Sequence, residues 1–335
     1  MTLKTPVFLA PLAGYTDLPF RRLVRSFGGV GLAFTEMINP TSLLRGQGRK
    51  RLCLLATEPE DQPLGWQIYG VDPAQMAEAA RRLEGMGAKL IDLNMGCPRQ
   101  KICRRGAGAA LLKTPELALE IVRQVVAAVR IPVSVKIRLG WKEPAGAAEL
   151  ARAMEEAGAA ALTIHGRTRA QVFSGAVDLE GIAQVATALR KIPAVANGDV
   201  FSVGDAHRMF EQTGCAAIMI GRHALSEPWF LRDVARDLAG QPPLPPPSAG
   251  ERLDAMRKLF QGHLDLYGDH FGLILFRRWL PRFLKNLRVP REAMVAYLRA
   301  ATLETWEAEW NRLTAWVAGN DPSGTVEIGL EKNAL

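Results

Sequence analysis

A chain of 335 residues with 48% hydrophobic content is long enough to bury one large core and leave a smaller unit beside it. No apolar run approaches the ~20 residues a membrane helix needs, the start MTLKTPVFLAP lacks the apolar stretch of a signal peptide, and Cys53, Cys97, Cys103 and Cys215 form neither a CxxC pair nor a zinc-spaced cluster, so a cytoplasmic protein without structural metal is expected. The net charge of +8 fits a polyanionic partner without demanding one.

In chain order, eight short apolar runs predict strands at Pro6–Ala10, Val30–Glu36, Pro63–Tyr69, Lys89–Asn94, Pro132–Arg138, Ala160–His165, Pro193–Asn197 and Ala216–Gly221. Helical patterns follow them, among them Pro73–Met86, Pro115–Val129 and Asp178–Leu189. The alternation predicts an α/β fold, a (β/α)8 TIM barrel over residues 1–240. Its strands read as continuous apolar runs, as expected when both faces of a parallel sheet are covered. The alternative, an open doubly wound sheet, lacks a GxGxxG after the first strand.

After Gly240 the segment QPPLPPPSAG (241–250) carries five prolines in ten residues and reads as a linker. Residues 251–318 are helical in pattern, with helices expected at Glu251–Tyr267, Phe271–Leu287 (kinked at Pro281), Arg291–Ala300 and Thr302–Val317. They make a small helical bundle after the barrel. Residues 319–335 have weak periodicity and are expected to form a flexible tail.

The chemistry concentrates at strand ends, where barrels carry their active sites. The fourth strand delivers Asn94 and Cys97 into a loop with four cations (Arg99, Lys101, Arg104, Arg105) and no acid. Most free cysteines are small buried apolar residues, but this setting marks a reactive thiol, and the cations are expected to depress its pKa below the usual ~8.5. Strand five ends in Lys136-Ile137-Arg138, whose period of two sends both cations to one side. Strands seven and eight end in Asn197-Gly198-Asp199 and Gly221-Arg222, where barrels commonly bind phosphate through backbone amides. With Gln67 on strand three and His165 on strand six, these residues suit FMN, whose anionic reduced form is stabilised by cations near the ring.

The motifs APLAGYTD (10–17), TEM (35–37), QIYG (67–70), DLNMGCPRQK (92–101), VKIRLGW (135–141), TIHGRTR (163–169), ANGDV (196–200) and MIGRHAL (219–225) resemble the tRNA-dihydrouridine synthases, most closely the bacterial B-type. The resemblance implies bound FMN, NADPH as reductant, and uridine of the tRNA D-loop as substrate, position 17 for the B-type. Carried over position by position, it implies FMN contacts at Pro11, Gln67, Lys136, His165, Asn197, Gly198, Asp199, Gly221 and Arg222, a proton donor at Cys97, and substrate contacts at Asn94, Lys101 and Arg138. One departure is His223 with Ser226-Glu227 after MIGR, where small residues are expected. A small-molecule flavin reductase or a non-catalytic RNA-binding barrel are the alternatives, and neither explains catalytic motifs and a basic appendage together.

In the appendage, Phe271–Arg291 holds six cations (Arg277, Arg278, Arg282, Lys285, Arg288, Arg291) and no acid. At helical spacing Arg278, Arg282 and Lys285 share one face, expected to meet tRNA phosphates, while Phe276, Trp279 and Phe283 fall on another, expected to form the bundle core. A monomer is expected.

Overall fold

The computed structural model describes residues 3–46, 53–284, 287 and 289–320. Eight parallel strands close into a barrel in sequence order: β1 Val7–Leu9, β2 Leu32–Phe34, β3 Leu64–Ile68, β4 Ile91–Met95, β5 Val133–Arg138, β6 Ala161–His165, β7 Ala194–Asn197 and β8 Ala217–Ile220. All eight lie within a residue of their predicted runs, and most are shorter. β2 is trimmed most, by two residues at each end, and Gly29 at φ 78° turns the chain ahead of its start.

The connecting helices start where the sequence supplies caps. Asp72 accepts from the Gln75 amide (3.1 Å) before Pro73–Gly85, Asp178 from the Gly181 amide (2.7 Å) before Leu179–Ala188, and Ser202 with Asp205 forms a reciprocal box before Val203–Thr213. Such caps satisfy amides that the first turn leaves unpaired.

Strand register sorts side chains between the two faces of the barrel wall. Phe8, Leu32, Phe34, Leu90, Val195, Ala217 and Met219 form a closed apolar plug, separate from the larger core under the helices. Gly65 makes room for it, since a Cβ there would meet the Phe34 ring at 2.6 Å. Cross-strand partners put Gln67 level with Asp92, Asn94 with Lys136, Arg138 with His165, and His165 with Asn197. Because register partners in a parallel pair point the same way, and Asn197 is in register with the plug residue Met219, these polar residues sit inside the barrel above the plug.

The C-terminal helices are Ala249–Tyr267, Asp269–Phe276, Leu280–Phe283, Arg291–Arg299 and Leu303–Asn320. The first begins before the predicted Glu251 because Ser248 and Glu251 cap each other, which shortens the proline-rich connection. The single helix expected over Phe271–Leu287 is broken: a tight turn at Arg277–Trp279 separates two segments. Pro281 has no N–H and would clash with the carbonyl four residues back, so it is accommodated in the first turn of a new segment. Lys285, Arg288 and residues 321–335 of the expected tail lie outside the described residues.

These helices share the core of the barrel's outer layer through a buried seam. Trp279 packs on Phe20 (ring centroids 4.6 Å) and edge-on to Tyr15 (5.1 Å), and its Nε1 donates to His263 Nε2 at 3.2 Å. Asp17, which caps helix Leu18–Phe27, accepts from the Tyr267 hydroxyl at 3.0 Å. Asp17, His263 and Trp279 are all buried.

Candidate active site

One unbroken run of hydrogen bonds crosses the barrel mouth. It starts at Asp92, fully buried, whose carboxylate accepts from Ser134 Oγ (2.6 Å) and Gln67 Nε2 (2.7 Å). A carboxylate only accepts, so Gln67 turns its carbonyl the other way and receives Asn94 Nδ2 at 2.8 Å. Asn94 in turn offers Oδ1 to the amides of Gly96 (3.3 Å) and Cys97 (3.0 Å), a side-chain turn that sets the cysteine loop. Arg138 braces the loop from the other side, donating Nε to the Gly96 carbonyl and Nη1 to the Thr168 carbonyl, each at 2.9 Å.

The Cys97 thiol does not behave as its cationic loop predicts. Burial pushes its pKa up, outweighing the Arg99 amide and the charges of Arg138 and Arg99. The loop cations lie outward: Arg99, Lys101, Arg104 and Arg105 are exposed, so water screens them.

Beside this run, Lys136 Nζ donates to Asn197 Oδ1 at 2.7 Å, and Asn197 Nδ2 to the Met219 carbonyl at 2.7 Å. Burial, reinforced by the charge of Arg138, lowers the Lys136 pKa to about 7, while burial raises that of Asp92 to about 6. Burial and the surrounding charges of Lys136, Arg138, Arg167 and Arg222 keep His165 neutral. Its Nε2 is buried without a hydrogen-bond partner.

At the β7 and β8 ends the backbone is committed to an unusual shape. Gly198 sits at φ 134°, where a Cβ would come within 2.8 Å of Val177, and Asp199 follows at φ 45°. Non-glycine residues in that region cost about 1–3 kcal/mol, and such strain gathers at ligand sites. Asp199 pairs with both Arg167 and Arg222. Arg222 is half-exposed and keeps donors beyond that pair. An unpartnered buried imidazole nitrogen, a lysine held near neutrality, a glycine cradle and an available guanidinium fit a phosphate-bearing flavin lying across the mouth.

A family model described as dihydrouridine synthase matches residues 8–307. The chain belongs to the dihydrouridine synthase family. It is 38% identical over 328 residues to tRNA-dihydrouridine synthase B of Pseudomonas aeruginosa, covering 97% of this chain and 96% of that protein. It is 42% identical over 285 residues to tRNA-dihydrouridine synthase B of Xanthomonas axonopodis pv. citri, covering 84% of each. Such relatives place it with the B-type dihydrouridine synthases, which makes it an FMN-dependent oxidoreductase. Morphinone reductase in complex with tetrahydroNAD superposes with a TM-score of 0.50 at 14% identity, covering 74% of this chain and 90% of that one, a likeness of fold alone.

In this dihydrouridine synthase the expected residues Gln67, Asn94, Lys136, Arg138, His165 and Asn197 are brought together inside the mouth, with Cys97, Gly198, Asp199 and Arg222 around it. Pro11 follows β1, and Gly221 follows β8 with space for a Cβ no closer than 3.5 Å to Ala10. Lys101 is exposed on the turn Gln100–Cys103. Arg278 and Arg282 do not form a free solvated face: both guanidiniums lie over the Tyr15 ring (5.4 and 4.7 Å), and Arg282 donates to its hydroxyl at 3.1 Å. They are half-buried, and Arg278 Nε has no partner. Phe276, Trp279 and Phe283 are buried as expected, though Trp279 serves the seam with the barrel. The unexpected His223 packs edge-on to Phe230 (4.4 Å).

Sequence reasoning missed Asp92, Ser134, Glu36 and Tyr15. Asp92 and Ser134 stand two residues before Asn94 and Lys136, so counting inward by twos would have found them. Glu36 accepts from the Gly14 amide, and burial pushes its pKa up from the usual carboxylate value. Among the described residues no group of three or more His, Cys, Asp or Glu is placed to hold a metal ion, and no helix is long and apolar enough to cross a membrane.

Proposed function

We propose that this protein reduces the C5=C6 bond of a D-loop uridine in tRNA, at position 17 as in its B-type kin, to 5,6-dihydrouridine in the cytoplasm with NADPH as reductant. The observation that carries this reading is a thiol held protonated by burial at the end of a hydrogen-bond run that also lines the flavin cradle. FMN held by these residues would supply hydride chemistry at the uracil C5=C6 bond, with NADPH as its reductant.

Everything else falls to the chain. Cys97 gives its proton to C5, and the Arg99 amide and the Arg138 charge, which favour the thiolate, stabilise what remains. Asn94 Oδ1 is committed to the amides of the cysteine loop and Arg138 Nε to its Gly96 carbonyl, so both help to aim the thiol beside the uracil, and Arg138 keeps donors for the base. Lys136 and the free His165 nitrogen take the flavin ring, and Asn197 to Asp199, Gly221 and Arg222 take its phosphate. Residues 1–240 act as the catalytic unit, 241–250 as linker and 251–318 as the tRNA-binding unit of a monomer, with Arg278 and Arg282 reaching phosphates at the seam. The base leaves its stack to reach the mouth, at a cost of a few kcal/mol offset by contacts elsewhere.

Purified protein should be yellow. Incubated with NADPH and unmodified tRNA, it should yield dihydrouridine in the D-loop, while free uridine and small enones are left unreduced. Turnover of enones without any on tRNA would mean a small-molecule reductase instead.

A further inference from the structure

The loop between β6 and helix Leu179–Ala188 is built to hold one aromatic ring in the open. Arg167, buried to 2% exposure, donates Nε to the Ser174 carbonyl (3.1 Å) and Nη2 to the Gly175 carbonyl while pairing with Asp199. Gln171 Oε1 accepts from the Thr168 amide (2.8 Å), and its carbonyl accepts from the Ser174 amide (2.8 Å) and hydroxyl (2.7 Å). Inside this fastened loop Val172 is forced to φ 52°, a conformation that β-branched residues avoid. The next residue, Phe173, stays 46% exposed.

Phe173 is not alone. The Arg222 guanidinium lies 4.5 Å from its ring and 5.8 Å from that of Phe201, itself 47% exposed on the loop after β7. Arg138, which braces the Cys97 loop, lies 5.5 Å from the Phe173 ring, and the His165 ring 6.2 Å. Two half-exposed aromatics therefore flank a cation on the rim of the mouth, in reach of the acid's own support. Scattered surface phenylalanines need no explanation, but a pair around one arginine, one of them on a fastened loop beside a strained residue, does. Interleaved aromatics and guanidiniums are the surface on which single-stranded nucleic acid stacks its bases, because every base has a π face.

We propose that Phe173 and Phe201, with Arg222 between them, form a stacking platform for an unpaired D-loop base, holding the loop while its target uridine is in the mouth. This rests on tRNA being the substrate.

The test uses flavin-loaded protein and unmodified tRNA transcript, with affinity titrated at several salt concentrations. Phe173→Ala should bind tRNA about fivefold to a hundredfold more weakly, as expected for one lost stack, and Phe201→Ala should be weakened similarly. The slope of log affinity against log salt should not change, because no phosphate contact is removed. Flavin content should match wild type, and Phe173→Trp should restore binding. Unchanged affinity in both alanine variants, or loss of flavin from Phe173→Ala and from the milder Phe173→Leu, would overturn the platform. A flatter salt slope in the alanine variants would overturn it as well, by assigning the loss to phosphate contacts. Failure of wild-type protein to form dihydrouridine is a separate outcome that removes the substrate assignment and is read without any variant.

Discussion

Replacing Lys136 by methionine should stabilise the flavin-free protein at low pH while weakening its hold on flavin. Lys136 stands inside the barrel with its pKa lowered from 10.5 to about 7, chiefly by burial. A base whose folded pKa is depressed adds nothing above its unfolded pKa; as pH falls from there to the folded value, the unfolded chain takes up the proton first and the fold loses stability. By pH 6 the loss is complete and amounts to roughly 5 kcal/mol at 1.36 kcal/mol per pH unit. Methionine removes that penalty but strands Asn197 Oδ1, which now accepts from Nζ at 2.7 Å, at a cost of about 1–3 kcal/mol. The variant should therefore be more stable by about 2–4 kcal/mol at pH 6. At pH 9 the penalty has shrunk to about 2 kcal/mol, and the two proteins should be nearly equal. Urea unfolding of both proteins at the two pH values measures this directly. A variant less stable than wild type at pH 6, or a gap that is the same at both values, would refute the claim that the barrel holds this lysine against its charge.

Cys97→Ala should keep its flavin and its reduction by NADPH, observed as bleaching of the flavin absorbance, but lose tRNA reduction by on the order of a hundredfold or more, since only the second half-reaction needs the acid. Gly198→Val should lose flavin occupancy because its Cβ has no room and its φ of 134° excludes a β-branched residue, and Arg222→Ala should lose it by removing the phosphate's guanidinium; absorbance per mole of protein reads both. Arg278→Gln with Arg282→Gln should raise KM for tRNA and flatten the salt dependence of binding by up to about two units, with flavin content intact; parallel salt slopes would confine both arginines to the Tyr15 contact.

The barrel was legible because its strands are apolar runs bounded by polar ends, and the polar ends are the site. Gln67, Lys136, Arg138, His165 and Asn197 could all be named from their place at a strand terminus, and register then shows them on one inner surface. What a residue does there was less legible. The Cys97 pKa was misjudged because charge is written in the sequence and burial is not: the four loop cations point to water while the sulfur does not. The basic helix was misdrawn for a related reason, since nothing near Arg278 in sequence foretells Tyr15, more than 260 residues earlier, beneath it. Phe173 could be noticed only once Val172 was known to be strained and Arg167 known to hold the loop.

The seam of Asp17, Phe20, His263, Tyr267 and Trp279 sets the unit of exchange between related enzymes. A chimera cut at the proline-rich segment, taking its C-terminal helices from one relative and its barrel from another, would set a foreign helix against Asp17 and make this buried carboxylate depend on that helix for a hydroxyl in the place of Tyr267. The transferable module is therefore discontinuous: it consists of the C-terminal helices together with the loop and helix that follow the first strand. Retargeting such an enzyme to another RNA site by swapping parts should move Tyr15, Asp17 and Phe20 along with residues 249–320, and leave the strand ends from Gln67 to Arg222 where they are.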